Sequence, residues 1–179
     1  MKDWNVVVSV NQEGFKRALL ALKELGPVER SPYHNVLVMA VDDPLVLLEA
    51  IERRTEAVPA LYDAISRVAP AAYCFEFQSA EEFEEKAKAI LLEWLPRLAG
   101  CSFHVRLRRR GQRQLLRSPD VERRLDEFLL EALEKAGTPG SISFGDPDAV
   151  IAIDTIDDRA GIAVWTRDEL KRHSMLRPD

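Results

Sequence analysis

Cysteine is scarce in this chain of 179 residues, and the two present, Cys74 and Cys101, are too few for a disulfide framework and too far apart for a zinc knuckle. Each lies in an apolar, strand-like stretch, where cysteine serves as a small core residue with a free thiol. Long apolar runs are missing too. No segment approaches the roughly 20 residues a membrane span needs, and Met1-Lys2-Asp3-Trp4 leads straight into strand-like sequence without the pattern of a signal peptide. A cytoplasmic location and no membrane partner are the expectation. The glycine-rich GxGxxG and GxxxxGK[ST] loops, the GxSxG elbow and the H-x-E with P-C-x-x-C pair are also absent, which argues against the commonest nucleotide enzymes, hydrolases and zinc deaminases. His34, His104 and His173 do not cluster in sequence, and Asp146, Asp148, Asp154, Asp157 and Asp158 lack the spacing of a calcium loop. Turns and caps account for these acids. The expectation is therefore a protein that is not an enzyme and needs no cofactor or metal.

The net charge of −5 opposes a nucleic-acid partner at first sight, yet its distribution matters more than its sum. Residues 1–100 hold 11 Lys and Arg against 16 Asp and Glu, whereas residues 101–179 hold 14 of each. Within that second part the arginines are bunched. Phe103 to Arg124 reads FHVRLRRRGQRQLLRSPDVERR, with no acid between Phe103 and Ser118. In an extended strand Phe103, Val105 and Leu107 face one way and His104, Arg106 and Arg108 the other. Arg109, Arg110, Arg113 and Arg117 carry the charge through a turn at Gly111, and Arg123 and Arg124 continue it on the following helix. Guanidinium groups offer paired planar donors to phosphate oxygens, so a phosphate backbone is the natural counterpart. The competing reading is a solvated face whose arginines pair with Asp120, Glu122 and Asp126.

Hydrophobic spacing predicts a strand at Asn5 to Val10, a helix carrying Phe15, Leu19, Leu22 and Leu25, a strand at Asn35 to Val41, and a helix beginning at Asp42-Asp43-Pro44. A further helix from about Ala57 to Val68 carries Leu61, Ile65 and Val68, and Pro70 breaks the chain. Beyond it come a strand at Tyr73 to Phe77, a long helix from Ser79 to Leu98, the basic strand, a helix from Ser118 to Gly137, and strand pieces at Ile142 to Phe144, Val150 to Thr155 and Gly161 to Trp165. Asp157-Asp158 joins the last two as a hairpin. Thr166 to His173 closes as a short helix. The hairpin demands antiparallel pairing, so the class is α+β, with two small layered domains at residues 1–70 and 71–179.

In that order the second part resembles a THUMP domain, the RNA-binding module attached to tRNA-modifying and thiolating enzymes. The likeness rests on Phe103-His104-Val105-Arg106 followed by Arg109-Arg110-Gly111, on Ser118 and Val121 at the next helix start, on Asp146-Pro147-Asp148 before Val150-Ile151-Ala152-Ile153, and on Gly161-Ile162 at the hairpin return. Phe77-Gln78-Ser79, Phe83 and Ile90 resemble the segment that accompanies the domain. The whole chain resembles the stand-alone THUMP adaptors of tRNA cytidine acetylation, which implies an N-terminal ferredoxin-like α/β unit before a THUMP-like α/β domain. It also implies a noncatalytic protein that binds tRNA or tRNA-like structured RNA and serves a separate tRNA-modifying enzyme such as an acetyltransferase. His104, Arg106, Arg108, Arg109, Arg110, Arg113, Arg117, Arg123 and Arg124 are then the expected RNA contacts. Trp165 with Arg167, Lys171 and Arg172 offers a second surface, although Trp165 fits a packing role better. A protein–protein adaptor and a small-molecule enzyme with an unrecognised pocket stand as alternatives.

Overall fold

A computed structural model describes residues 1–178. The chain divides into two compact units. One is Met1–Ala72 joined by Leu170–Arg177, and the other is Tyr73–Glu169 with Pro178.

In the first unit the β-branched run Val6–Val10 forms β1, and all but Ser9 of it is buried. Helix α1 (Phe15–Lys23) follows, then β2 (Val28–Arg30) and β3 (Val36–Met39). Helix α2 (Pro44–Ala57) starts where the Asp43 carboxylate accepts the amides of Leu45 and Val46, with Pro44 preset for the first turn. After it come α3 (Pro59–Ala64) and β4 (Ile65–Pro70). The sheet runs β2-β3-β1-β4 with every neighbouring pair antiparallel. With the helices between β1 and β2 and between β3 and β4, this is a ferredoxin-like arrangement.

The structure departs from the predicted helix over 57–68. Val58 is extended, Pro59 opens only a short helix, and Ile65–Pro70 pairs with β1, Val8 opposite Val68. Leu61, Ile65 and Val68 share helical spacing, but pairing with a buried strand overrides that local pattern. Pro70 ends an edge strand, where its missing amide costs little. The short β2 carried too few apolar residues to show in the sequence. The final segment also differs from the expected 71–179 domain. The Val68 amide donates to the Met175 carbonyl at 2.8 Å, Arg67 Nε donates to the carbonyls of Leu176 and Arg177, and His173 Nδ1 lies 2.8 Å from Glu52.

In the second unit β5 (Tyr73–Glu76) leads to α4 (Ala80–Glu93), capped by Ser79 on the Glu82 amide at 3.1 Å. The expected single helix to Leu98 is interrupted at Trp94, and Pro96 sits in the first turn of the short α5 (Leu95–Leu98). Next are β6 (Ser102–Arg110), α6 (Ser118–Lys135), the two-residue β7 (Ser141–Ile142), β8 (Ala149–Ile156), β9 (Arg159–Thr166) and α7 (Arg167–Arg172). The sheet order is β5-β9-β8-β6-β7, with β6 parallel to β7 and β8 and the other pairs antiparallel. The β8–β9 hairpin turns on Asp157-Asp158, where Asp157 takes the positive φ of 53° that such two-residue turns need. Phe103, Val105 and Leu107 of β6 and Ile151 and Ile153 of β8 share one core with Leu125 and Leu129 of α6 and Phe83 and Leu91 of α4.

Candidate nucleic-acid interface

The core-facing half of β6 follows the predicted alternation, and its other half shows how charge is placed. Opposite Phe103, Val105 and Leu107 lie His104, Arg106 and Arg108, but they do not form an open strip. His104 is fully buried, and its Nδ1 is 2.8 Å from the carbonyl oxygen of Ser143. Arg106, Arg108, Arg109 and Arg110 are half-buried. Arg108 Nε donates to the Pro178 carbonyl at 3.3 Å, and Arg109 Nη1 donates to the Gly111 carbonyl at 2.6 Å. Arg110 pairs at 3.1 Å with Asp154, which is buried in β8. The expectation of a basic strand face open from His104 onward is therefore corrected. Along its length β6 is paired with β8 on one side and braced by α6 on the other, and sequence alternation cannot reveal what lies over its polar side.

The exposed arginines lie further along. Gly111, with φ 82°, and Gln112, with φ 49°, turn the chain out of β6. Arg113 and Arg117 follow on the surface, with Leu116 buried between them as the anchor of the connection. Arg117 is 3.6 Å from Asp120, and Arg123 is 4.0 Å from Asp120 and 3.9 Å from Glu127. These are loose exposed pairs, which hold an arginine weakly and leave it available to a phosphate. Arg124 is different, since its Nε bonds Glu84 of α4 and so helps dock the two helices. The reading in which neighbouring acids neutralise the run thus applies in part to Arg117 and Arg123, while Arg113 pairs with no acid among the described residues.

Helix α6 also completes the strand beneath it. Because β7 pairs only with Ser102 and Phe103, the outward amides further along β6 have no strand beside them. Asp126 accepts the Val105 amide at 2.9 Å and Glu122 accepts the Leu107 amide at 2.7 Å. Burial pushes the Asp126 carboxyl up to about 7, against the stabilising pull of the Val105 amide. The sequence places both acids beside the arginines, yet gives no sign that they serve the strand edge.

The Asp146-Pro147-Asp148 turn is a clasp. Asp148 accepts both the amide and the hydroxyl of Ser102, at 2.8 and 3.1 Å, and these bonds hold its carboxyl below the usual range. Arg167 reaches Asp146 at 2.9 Å and Asp148 at 3.1 Å. Arg167 is thereby occupied in structure, Lys171 and Arg172 are exposed, and Trp165 is half-buried in β9. Among the described residues no helix is long and apolar enough to cross a membrane.

A parallel β6–β8 pair, a helix bracing its edge, a Pro-centred clasp and an antiparallel hairpin agree with a profile of the THUMP domain, which matches residues 77–164. That segment is a THUMP domain. No curated protein sequence matches the chain. Among solved structures, PH1313 from Pyrococcus horikoshii Ot3 is similar at 16% identity, covering 89% of this chain and 53% of that one, with a TM-score of 0.62. TrmN from Thermus thermophilus is similar at 19% identity over 89% and 44% of the two chains, with a TM-score of 0.54. A 4-thiouridine synthetase, solved with RNA and ATP, is similar at 13% identity over 90% and 41%, with a TM-score of 0.55. The α+β fold is thus shared with these proteins, and the chain spans about half of each or less. The expectation of a protein that is not an enzyme does not stand. The same fold occurs within a synthetase and within chains described as methylases or methyltransferases, so missing catalytic motifs do not set this one apart from enzymes.

Proposed function

We propose that the chain binds tRNA or a tRNA-like structured RNA and holds it for a tRNA-modifying active site. The observation that carries this reading is the set of exposed arginines at the β6–α6 connection, Arg113, Arg117 and Arg123, on a THUMP domain. Arg106, Arg108, Arg109 and Arg124 border that set, and they contribute field and side-chain edges more than free guanidinium groups. Structured RNA is recognised mainly through shape, phosphates and hydroxyls, which suits a rigid sheet-and-helix surface carrying a few cations. The acidic balance of residues 1–100 disfavours nonspecific binding elsewhere on the chain. RNA bound to the 4-thiouridine synthetase supports the assignment to tRNA modification. The test is binding of total tRNA across a salt series. Contact with about four phosphates gives a slope of log affinity on log salt of about −3 on the single-strand value. A slope near zero, or no binding at low salt, overturns the proposal.

A further inference from the structure

Phe144 lies in the loop between β7 and β8 with 66% of its surface open, the largest exposure among the big apolar side chains of the described residues. Its ring packs against the His104 imidazole, centroids 5.5 Å apart and planes tilted by 41°. The loop is pinned on both sides of it. The Ser143 amide donates to the Phe103 carbonyl at 3.1 Å, and the Ser143 carbonyl oxygen lies 2.8 Å from His104 Nδ1. On the other side Arg167 holds the carboxylate and the carbonyl of Asp146, at 2.9 and 2.8 Å. The aromatic side chain is therefore carried by a fixed backbone, and the nearby acid is paired with a cation.

We propose that Phe144 is a stacking platform for one unpaired nucleobase of the bound RNA, an inference that rests on the RNA-binding reading above. A protein partner would need a contiguous apolar patch, but the loop around Phe144 is Ser143, Gly145 and Asp146. A nucleobase needs only one open ring face and a cation nearby for its phosphate. Arg106 is one same-face step along β6 from His104, about 7 Å by strand geometry. The six steps of β6 from His104 to Arg110 cover about 20 Å, so a strand of a few nucleotides can run from Phe144 toward the arginine turn.

The test uses the full chain and a stem-loop RNA with an unpaired tail, 2-aminopurine being placed at each unpaired position in turn. The parent protein is expected to quench one position strongly. Phe144→Ala and Phe144→Leu should lose that quench and weaken binding of the tailed RNA about tenfold, with binding of a fully paired duplex and the thermal midpoint unchanged. Phe144→Tyr should keep both quench and affinity. If the parent binds the tailed RNA and Phe144→Ala binds it equally well with the same quench, or Phe144→Leu keeps full affinity, the stacking inference is overturned while the RNA-binding reading stands. If the parent binds neither RNA at low salt, the reading itself falls and takes the inference with it.

Discussion

Asp126 of α6 accepts a 2.9 Å hydrogen bond from the Val105 amide of β6 on the edge that β7 leaves uncovered, opposite β8. With Glu122 one turn earlier on the Leu107 amide, the helix supplies the acceptors that a neighbouring strand would otherwise give. Side chains four apart on a helix sit one above the other, about 6 Å apart along the axis, and outward amides two apart on a strand are separated by about 6.6 Å. The two repeats match closely enough for two contacts. This bracing fixes the direction in which α6 leaves the arginine turn, and so couples the edge of the sheet to the surface proposed to meet RNA.

The raised Asp126 carboxyl predicts a pH dependence of stability. Its folded value of about 7 lies above the ordinary 3.8, so the folded state holds a proton that the unfolded state releases. The stabilising contribution is complete below the ordinary value and is lost as pH rises through about 7. Urea midpoints should fall between pH 5 and pH 8 in the parent. Asp126→Asn keeps an acceptor for Val105 without a charge to bury, so it should flatten that fall. Asp126→Ala leaves the amide without its acceptor and should cost about 1–3 kcal/mol.

Arg110→Ala is expected to destabilise the protein, by about 3 kcal/mol. Asp154 is buried and its pair with Arg110 is largely shielded, with side-chain exposures of 6% and 16%, so removal of the cation takes a close, poorly solvated partner from that carboxylate. Arg113→Ala, on the open surface, should leave the midpoint within about 0.5 kcal/mol of the parent. Denaturant titrations of the two variants compare them directly. Equal stabilities would mean that the Arg110–Asp154 pair contributes nothing.

The contrast between Arg110 and Arg113 shows what the sequence could and could not convey. Alternation in Phe103 to Leu107 identifies the core face because apolar side chains must be buried, and the order of strand, turn, helix and Asp-Pro-Asp makes the second unit legible. Arginine is ambiguous. Its guanidinium can meet a buried acid far away in sequence, as Arg110 meets Asp154, or a solvent-exposed one on the next turn, as Arg123 meets Asp120. No local pattern separates the two. Similarly, Ile65 and Val68 fit a helix until β1 offers them a partner, and Phe144 reads as the end of a strand although β7 stops at Ile142.

Gly14→Ala should destabilise the first unit. A Cβ there would sit 2.4 Å from the Cβ of Ala64 and 2.5 Å from its Cα, and the backbone of α3 cannot yield as a flexible side chain would. The cost expected for such overpacking is about 1–3 kcal/mol. Gly145→Ala has open space around its Cβ and serves as the control. Thermal unfolding should separate the two, with the loss confined to Gly14→Ala.

Arg113, Arg117 and Arg123 changed together to Ala should weaken tRNA binding strongly and leave the fold intact. All three are exposed, and the ion pairs of the last two, at 3.6 to 4.0 Å, are too loose and open to carry much stability. If each contacts a phosphate, the salt slope should become shallower by about 2 in total, and affinity should fall by a similar factor for different tRNAs, because phosphates position RNA without reporting sequence. Phe103→Ala is the complementary control. Its side chain is fully buried in the second unit's core, so its loss should cost about 3–5 kcal/mol of stability and reduce binding only as far as the protein unfolds. A triple variant that binds tRNA as tightly as the parent, with an unchanged salt slope, would remove the β6–α6 connection from the interface.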